Sequence, residues 1–308
     1  MVPLETRCGI IGGTSSPRLA QMVSWKYSHL PATQVAEDLV LHHKRPTSVC
    51  FIQKLSEAVG KLAGQEAVEF TYALPELKAV VKHISVSRDG TTVPVIGQGY
   101  RECMVGTISL YDAQGNRLHT IYIAGAPEYG KQGFEAELDK ELQQIKKAFP
   151  DVCYIGIADG AKDNWRYLQS RTSTQILDFY HACEHLAKVS AVMGQHEQQR
   201  KQWCNNACSD LKNNPKGAWF ILREMKNLRQ QKQTAQTVIP EVLNQTITYF
   251  ENNLQRMNYA QYQKKQFPIG SGVTEAACKV VVKQRLCASG MKWHIDNIQN
   301  ILRLRCMT

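Results

Sequence analysis

The stretch Val152-Cys-Tyr-Ile-Gly-Ile-Ala-Asp-Gly160 decides how the fold is read. Val152 to Ala158 is a nearly continuous apolar run of strand length, as expected for a strand buried on both faces. A strand of that kind belongs inside an α/β sheet covered by helices. The run stops at Asp159-Gly160, so a carboxylate stands where the strand ends.

Upstream, His83 to Arg88 (HISVSR) alternates and reaches Asp89-Gly90. Glu102 to Tyr111 reads as a second strand, Asp112 to Asn116 as a turn, and Leu118 to Ala124 as a third strand. The short connections predict an antiparallel meander. Phe134 to Phe149 places Leu138, Leu142, Ile145 and Phe149 on one helical face. Downstream, a short helix is expected around Asn164 to Leu168 and a fifth strand over Thr174 to Phe179. Three antiparallel strands, helix, buried strand, helix, strand is the element order of a ribonuclease H-like fold. This is an α/β architecture with a mixed sheet flanked by helices, and it sets the ends of its first and fourth strands side by side.

Residues 181–266 change character. Hydrophobic spacing becomes helical, Gln and Asn are abundant, and strand patterns are scarce. An all-helical insertion is predicted over 187–266, broken near Asn213-Asn214-Pro215, with Trp203 and Trp219 expected in its core rather than as base-stacking platforms. Before the sheet, Thr33 is expected to cap one helix, and Thr47 or Ser48 a second, around the basic break His42-His43-Lys44-Arg45. Two readings stand there: a helix-turn-helix that binds DNA, or a helical hairpin packed on the main domain. The expected division is a helical region over 1–82, the first part of the core over 83–186, the insertion, and C-terminal core helices over 267–308.

The 308 residues suffice for two or three domains with a good core, and 43% hydrophobic with 21% charged residues excludes a disordered chain. No apolar run reaches the roughly 18–20 residues that cross a bilayer. Met1 to Pro17 lacks an apolar signal core, so a cytoplasmic rather than a secreted protein is expected. The net charge of +10 is uneven: residues 1–159 carry 16 Lys+Arg against 17 Asp+Glu, and residues 160–308 carry 21 against 10. A polyanion lying on the second half, or a solvated basic surface, accounts for this. Ten cysteines without a CxxC pair read as reduced thiols. Cys204 and Cys208 with His181 and His185 offer a zinc reading; packed helical residues are the other.

Asp89, Asp159 and Glu275 carry the chemistry. If the first two stand at neighbouring strand ends and Glu275 enters from a helix, three hard oxygen donors meet, as two Mg²⁺ or Mn²⁺ ions require. Gly270-Ser-Gly-Val-Thr-Glu275 is the strongest local signal: the glycines make a tight entry, Thr274 is expected as the N-cap, and Glu275 falls in the first turn. Asp178 and His181, three apart at a strand-to-helix corner, are either a helix cap or a polar pair in which Asp178 orients the imidazole. Lys279, Lys283 and Arg285 follow Glu275, with Lys292, Trp293 and His294 beyond, and suit a path for DNA phosphates.

Asp89-Gly90, Ile157-Ala-Asp-Gly160, Asp178-Phe-Tyr-His-Ala-Cys-Glu-His-Leu186, Gly270-Ser-Gly-Val-Thr-Glu-Ala-Ala-Cys-Lys279, Ser289-Gly-Met-Lys-Trp-His294 and Ile301-Leu-Arg-Leu-Arg305 together resemble bacterial insertion-sequence DDE transposases, above all the ISKra-type family. The resemblance spans about residues 15–305. It implies a ribonuclease H-like core with a helical insertion between the second Asp and the Glu. It implies that Asp89, Asp159 and Glu275 bind metal and that Asp178 and His181 match a C/D-x-x-H signature of the same site. It further implies cleavage and joining of double-stranded DNA at element ends, by a homodimer on DNA. A ribonuclease H-like nuclease that cuts without joining is one alternative. Another is a truncated copy that only binds DNA, since family members often carry sequence before the helical region and beyond the Leu-Arg-Leu-Arg helix.

Overall fold

The computed structural model describes residues 9–11, 15–66, 74–127, 130–193 and 196–307. Cys8 lies outside them. Helix α1 (Pro17–His29) starts where Ser16 Oγ accepts from Leu19 N and Pro17 supplies a preset φ. The sequence reading missed α1, because buried Ser24 and Ser28 dilute its apolar stripe of Ala20, Val23 and Tyr27. Helix α2 is Ala32–His43 and α3 is Val49–Glu66. Ser48 Oγ accepts from Phe51 N at 3.2 Å, as a cap of α3 does. Thr33 is not a cap: Pro31 holds that position and Thr33 lies inside α2. The face of α3 that carries Ile52 and Leu55 joins α1 in one apolar cluster, and the helix packs on α1 and α12 (Ile295–Cys306).

Five strands form one mixed sheet in the order β3-β2-β1-β4-β5. They are β1 (His83–Val95), β2 (Gly99–Tyr111), β3 (Arg117–Gly125), β4 (Cys153–Ala158) and β5 (Thr174–Leu177). β1, β2 and β3 pair antiparallel, whereas β1 with β4 and β4 with β5 pair parallel. β1 does not end at Asp89, as its sequence suggested. It runs on to Val95, paired with β2 as a hairpin that outlasts β4. The last β1–β4 partners are Ser87 and Ile157. Continuing that register by two residues sets Asp89 level with Asp159. The fifth strand stops at Leu177, and Asp178 belongs to the next helix.

One face of the sheet, with Ile84 and Val86, packs on α4 (Gly130–Ala148) through Phe134, Leu138, Leu142 and Ile145, and on α5 (Lys162–Gln169) through Leu168. The same apolar cluster takes in α6 (Phe179–Ala191), α7 (Glu197–Asn213), α8 (Gly217–Thr234), α9 (Glu241–Asn253) and α10 (Tyr259–Lys264). The opposite face, with Val93, Val95, Cys103 and Val105, is covered by α1–α3, α12 and the chain around Ala277–Leu286. No described helix is long and apolar enough to cross a membrane.

Trp219 is 47% exposed, against the expectation of a core residue. Ala218, Ile221, Leu222 and Met225 are the buried i, i+3, i+4, i+7 set of α8, and Trp219 falls outside that stripe. Trp203 is half-buried, and its Nε1 donates to Glu224 Oε1 at 2.7 Å.

Asp139 on α4 receives the Nε and Nη2 of Arg171 and the hydroxyl of Tyr167. Burial opposes its charge; the hydrogen bonds from Arg171 and Tyr167 and the guanidinium charge outweigh burial and hold the carboxyl below its ordinary range. A depressed carboxyl stabilises the fold above its unfolded pKa, and that contribution is lost as pH falls through the folded value. Asp139→Asn is therefore expected to cost about 1–2 kcal/mol at pH 7 and progressively less below about pH 4. Urea unfolding of both proteins across that pH range is the check. A pH-independent difference would remove the charge from the explanation.

Candidate metal centre

The sheet delivers Asp178 to the end of β4 and β5. Its N–H donates to Ala158 O at 2.8 Å, which fixes where α6 begins. Asp178 is fully buried. Oδ1 accepts from His181 N at 2.9 Å, while Oδ2 accepts from Ser271 Oγ at 2.6 Å and from Ser271 N. Burial pushes against ionisation, yet the donors from His181 and Ser271 hold the carboxyl at about 2. The cap and the polar-pair readings of Asp178 are thus both realised in one side chain.

Ser271 begins α11 (Gly272–Ala277): its carbonyl accepts from Thr274 N at 2.7 Å and Glu275 N at 3.1 Å. Thr274, the expected cap, is instead buried inside the helix with its hydroxyl 2.7 Å from Thr107 Oγ1 on β2. Beyond Ala277 the helix continues through a π turn (Cys278–Lys283) and a last α turn (Gln284–Leu286). The buried residues Thr274, Cys278, Val282 and Leu286, and Ala277, Val281 and Arg285, recur strictly every fourth position. A repeat of four drifts off one face of a 3.6-residue α-helix; a wider π turn, closed i to i+5, returns it to the sheet.

Glu275 in the first turn of α11 comes to His181. His181 Nδ1 lies 3.4 Å from Asp178 Oδ1 and 3.6 Å from Glu275 Oε1. That nitrogen is buried and makes no hydrogen bond. The Asp178 carboxylate foremost, with Glu275 and Glu184, raises the imidazole to about 9 against the effect of burial. Among the described residues, Asp178, His181 and Glu275 form the group whose ligand atoms all lie within 4.8 Å of one another. An unsatisfied ring nitrogen facing two carboxylates fits a divalent cation that accepts N and O ligands, bound in exchange for the imidazole proton.

Asp89 and Asp159 line an adjoining cavity of about 380 Å³ with Glu102, Lys131, Lys162 and Asn164. Asp159 Oδ1 accepts from Ala161 N and Asn164 Nδ2, each at 3.0 Å. Asp89 Oδ1 accepts from Gly90 N at 2.7 Å, and Cys278 Sγ is 3.9 Å from Oδ2. Burial and the Asp159 charge push the Asp89 carboxyl up, opposed by Gly90 N–H and by His181. Asp89 is thus within electrostatic reach of both Asp159 and the His181 group. Asp89, Asp159 and Glu275 do not themselves share the 4.8 Å proximity of the His181 group. Arg88, beside Asp89, points to the other face of the strand. It donates to Asn164 Oδ1, Asp163 O and Glu135, and lies over the Tyr167 ring, bracing α4 and α5 rather than the acids.

Two of the basic-path residues read from the sequence are corrected. Arg285 is 3% exposed and sits between the rings of Tyr27 and Trp293, donating to Tyr27 O. Trp293 is 7% exposed, donates through Nε1 to Leu286 O, and bridges to Val95 of the hairpin. Both are held by neighbours the local pattern does not reveal. Lys279, Lys283 and Lys292 are exposed. The zinc reading is also corrected: His181 joins Asp178 and Glu275, His185 stacks on Tyr249 at 4.0 Å, and Cys208 neighbours Cys183 and Cys204.

Tyr249 of α9 is a site residue the sequence reading missed. Its hydroxyl donates to Asp159 O at 2.8 Å. Gly160 has φ +104°, and a Cβ there would stand 2.7 Å from Tyr249 Cε2. Nothing in the local pattern around Tyr249 links it to a strand end 90 residues earlier. Gly160→Ala is expected to cost about 1–3 kcal/mol from backbone strain, with the ring contact added to it. Chemical denaturation checks this; an unchanged midpoint would refute the close approach. No protein-family model matches the chain, and no curated protein matches it.

Proposed function

We propose that this protein is a metal-dependent DNA strand transferase of the DDE transposase type, built on a ribonuclease H-like core. The observation that carries the reading is the β1–β4 register, which, continued two residues past Ser87 and Ile157, brings Asp89 level with Asp159 just beyond the end of β4. His181 of α6 lies within electrostatic reach of Asp89, and Glu275 of α11 stands 3.6 Å from its Nδ1. The strand order β3-β2-β1-β4-β5, with β2 antiparallel and β4 parallel to β1, supports the ribonuclease H-like assignment. The helices between Asp159 and Glu275 fit the insertion that the resemblance implies.

Two Mg²⁺ or Mn²⁺ ions, when held by Asp89, Asp159 and Glu275, would activate the attacking water or 3′-hydroxyl and stabilise the leaving oxygen. The chain prepares its own donors for this. Ala161 N–H and Asn164 orient Asp159, and Tyr249 fixes its backbone. Ser271 Oγ, 3.3 Å from Glu275 Oε1, and His181 orient Glu275. Asp178 holds both of these residues in place, a positioning role beside its place in the His181 group. Exposed Lys279, Lys283 and Lys292 offer phosphate contacts independent of base sequence.

The test is incubation of the purified protein with pre-cut double-stranded DNA ends and a plasmid target in Mg²⁺. Joined products are expected. Plasmid cutting without joining would reassign the protein as a nuclease, and neither activity would remove the enzymatic reading.

A further inference from the structure

We propose that Trp219 and Phe220 form a stacking platform for unpaired DNA bases on the outer face of the helical insertion. The inference rests on the reading of this protein as one that handles DNA, but not on its metal site. The polar face of an amphipathic surface helix ordinarily carries charged residues. On α8 the exposed surface carries, beside Arg223 and Glu224, two large aromatics, each 47% exposed. Their rings meet edge to face with centroids 5.1 Å apart. Phe220 thus braces the Trp219 indole, and each ring keeps about half of its surface open to solvent.

The pair is held rigidly. Gly217 lies so close to α7 that a Cβ there would meet Asp210 O at 2.2 Å, which locks the turn from α7 into α8. Pro215 stiffens the approach. Beside the rings lies a groove of about 520 Å³, floored by Ala218, Leu254 and Met257 and edged by Lys216. That volume admits a nucleotide. Arg223, one turn along α8, sits 5.6 Å from the centre of the Trp219 ring.

Aromatic faces beside Lys and Arg are the means by which proteins hold single strands without reading their sequence. The charge agrees: residues 196–266 carry 11 Lys+Arg against 5 Asp+Glu. A duplex offers no base faces to such a platform, because its bases are stacked on one another. The occupant is therefore a strand whose bases are unpaired, with its phosphates near Lys216 and Arg223.

The experiment measures binding of fluorescein-labelled oligothymidylate by anisotropy, across a salt series, to the wild-type chain, Trp219→Ala and Trp219→Phe. Trp219→Ala should raise Kd about ten-fold, the order of one lost base–aromatic stack, while Trp219→Phe keeps most of the affinity. The salt slope should stay unchanged, since no phosphate contact is removed. Affinity for a blunt duplex should not move. An equal Kd for wild type and Trp219→Ala overturns the platform. So does a change of oligomeric state in Trp219→Ala with unaltered oligonucleotide affinity, which would assign the face to a second copy of the chain. A wild-type protein that joins DNA ends yet binds no oligothymidylate overturns the platform alone. A protein that engages DNA in neither assay overturns both readings.

Discussion

Asp159→Asn is expected to abolish Mg²⁺-dependent joining of DNA ends while leaving the fold intact. The substitution keeps an oxygen that can still accept from Ala161 N and Asn164, so the turn after β4 survives. What it removes is the negative charge. A metal ligand supports several kcal/mol of transition-state stabilisation, so a loss on the order of 10³-fold or more in the joining rate follows. The comparison needs single-turnover joining at saturating Mg²⁺ together with a urea melt of both proteins. A variant that joins at the wild-type rate would remove Asp159 from the chemistry and sink the proposed function. An unfolded variant would say that the carboxylate is structural. Mn²⁺ in place of Mg²⁺ should rescue the variant only in part, because the softer ion tolerates a neutral oxygen ligand better.

Asp178→Ala should be the most destabilising single change in the site. It leaves His181 N–H, Ser271 N–H and Ser271 Oγ without their acceptor in a fully buried position. Loss of the helix cap costs about 1 kcal/mol, and each further stranded buried donor about 1 kcal/mol or more. A total near 3 kcal/mol is a large share of the roughly 5–15 kcal/mol that holds a typical domain together. The consequence extends to activity. Phe179 N and Asp178 are the points where the segment before α11 is tied to the sheet. Without Asp178, Glu275 loses its fixed approach to His181. Thermal denaturation should show a clear fall in Tm, and joining activity should fall at temperatures where the variant is still folded. Wild-type stability in Asp178→Ala would show that Ser271 and His181 find other acceptors, and would dismiss Asp178 as the organiser of the site.

Much of the architecture is legible because it rests on local pattern. The continuous apolar run before Asp159 has the length and composition of a doubly covered strand. The alternation of His83 to Arg88 marks β1, and Gly270-Ser-Gly-Val-Thr-Glu275 marks the entry of a helix. Asp159 and Glu275 stand at a strand end and in a first helical turn, where their neighbours in the chain suggest. Asp89 was harder to place. Its own segment does not end there; it is the partner strand β4 that ends, and a partner's length is not written in β1.

What periodicity determines is which face of an element is apolar. It does not say what comes to cover that face. Arg285 and Trp293 read as a DNA contact until Tyr27, from a helix the sequence concealed, closes over Arg285. Trp219 reads as core until the packing of α8 leaves it outside. The bond from Tyr249 to Asp159, and those from Ser271 to Asp178, join residues about ninety positions apart. The sequence by itself determined the strand positions, most of the helices and the acids they carry, because backbone preference and hydrophobic spacing act over a few residues. The tertiary structure alone decided which of those acids share a site and which basic and aromatic residues face solvent, because burial depends on long-range neighbours that no local pattern specifies.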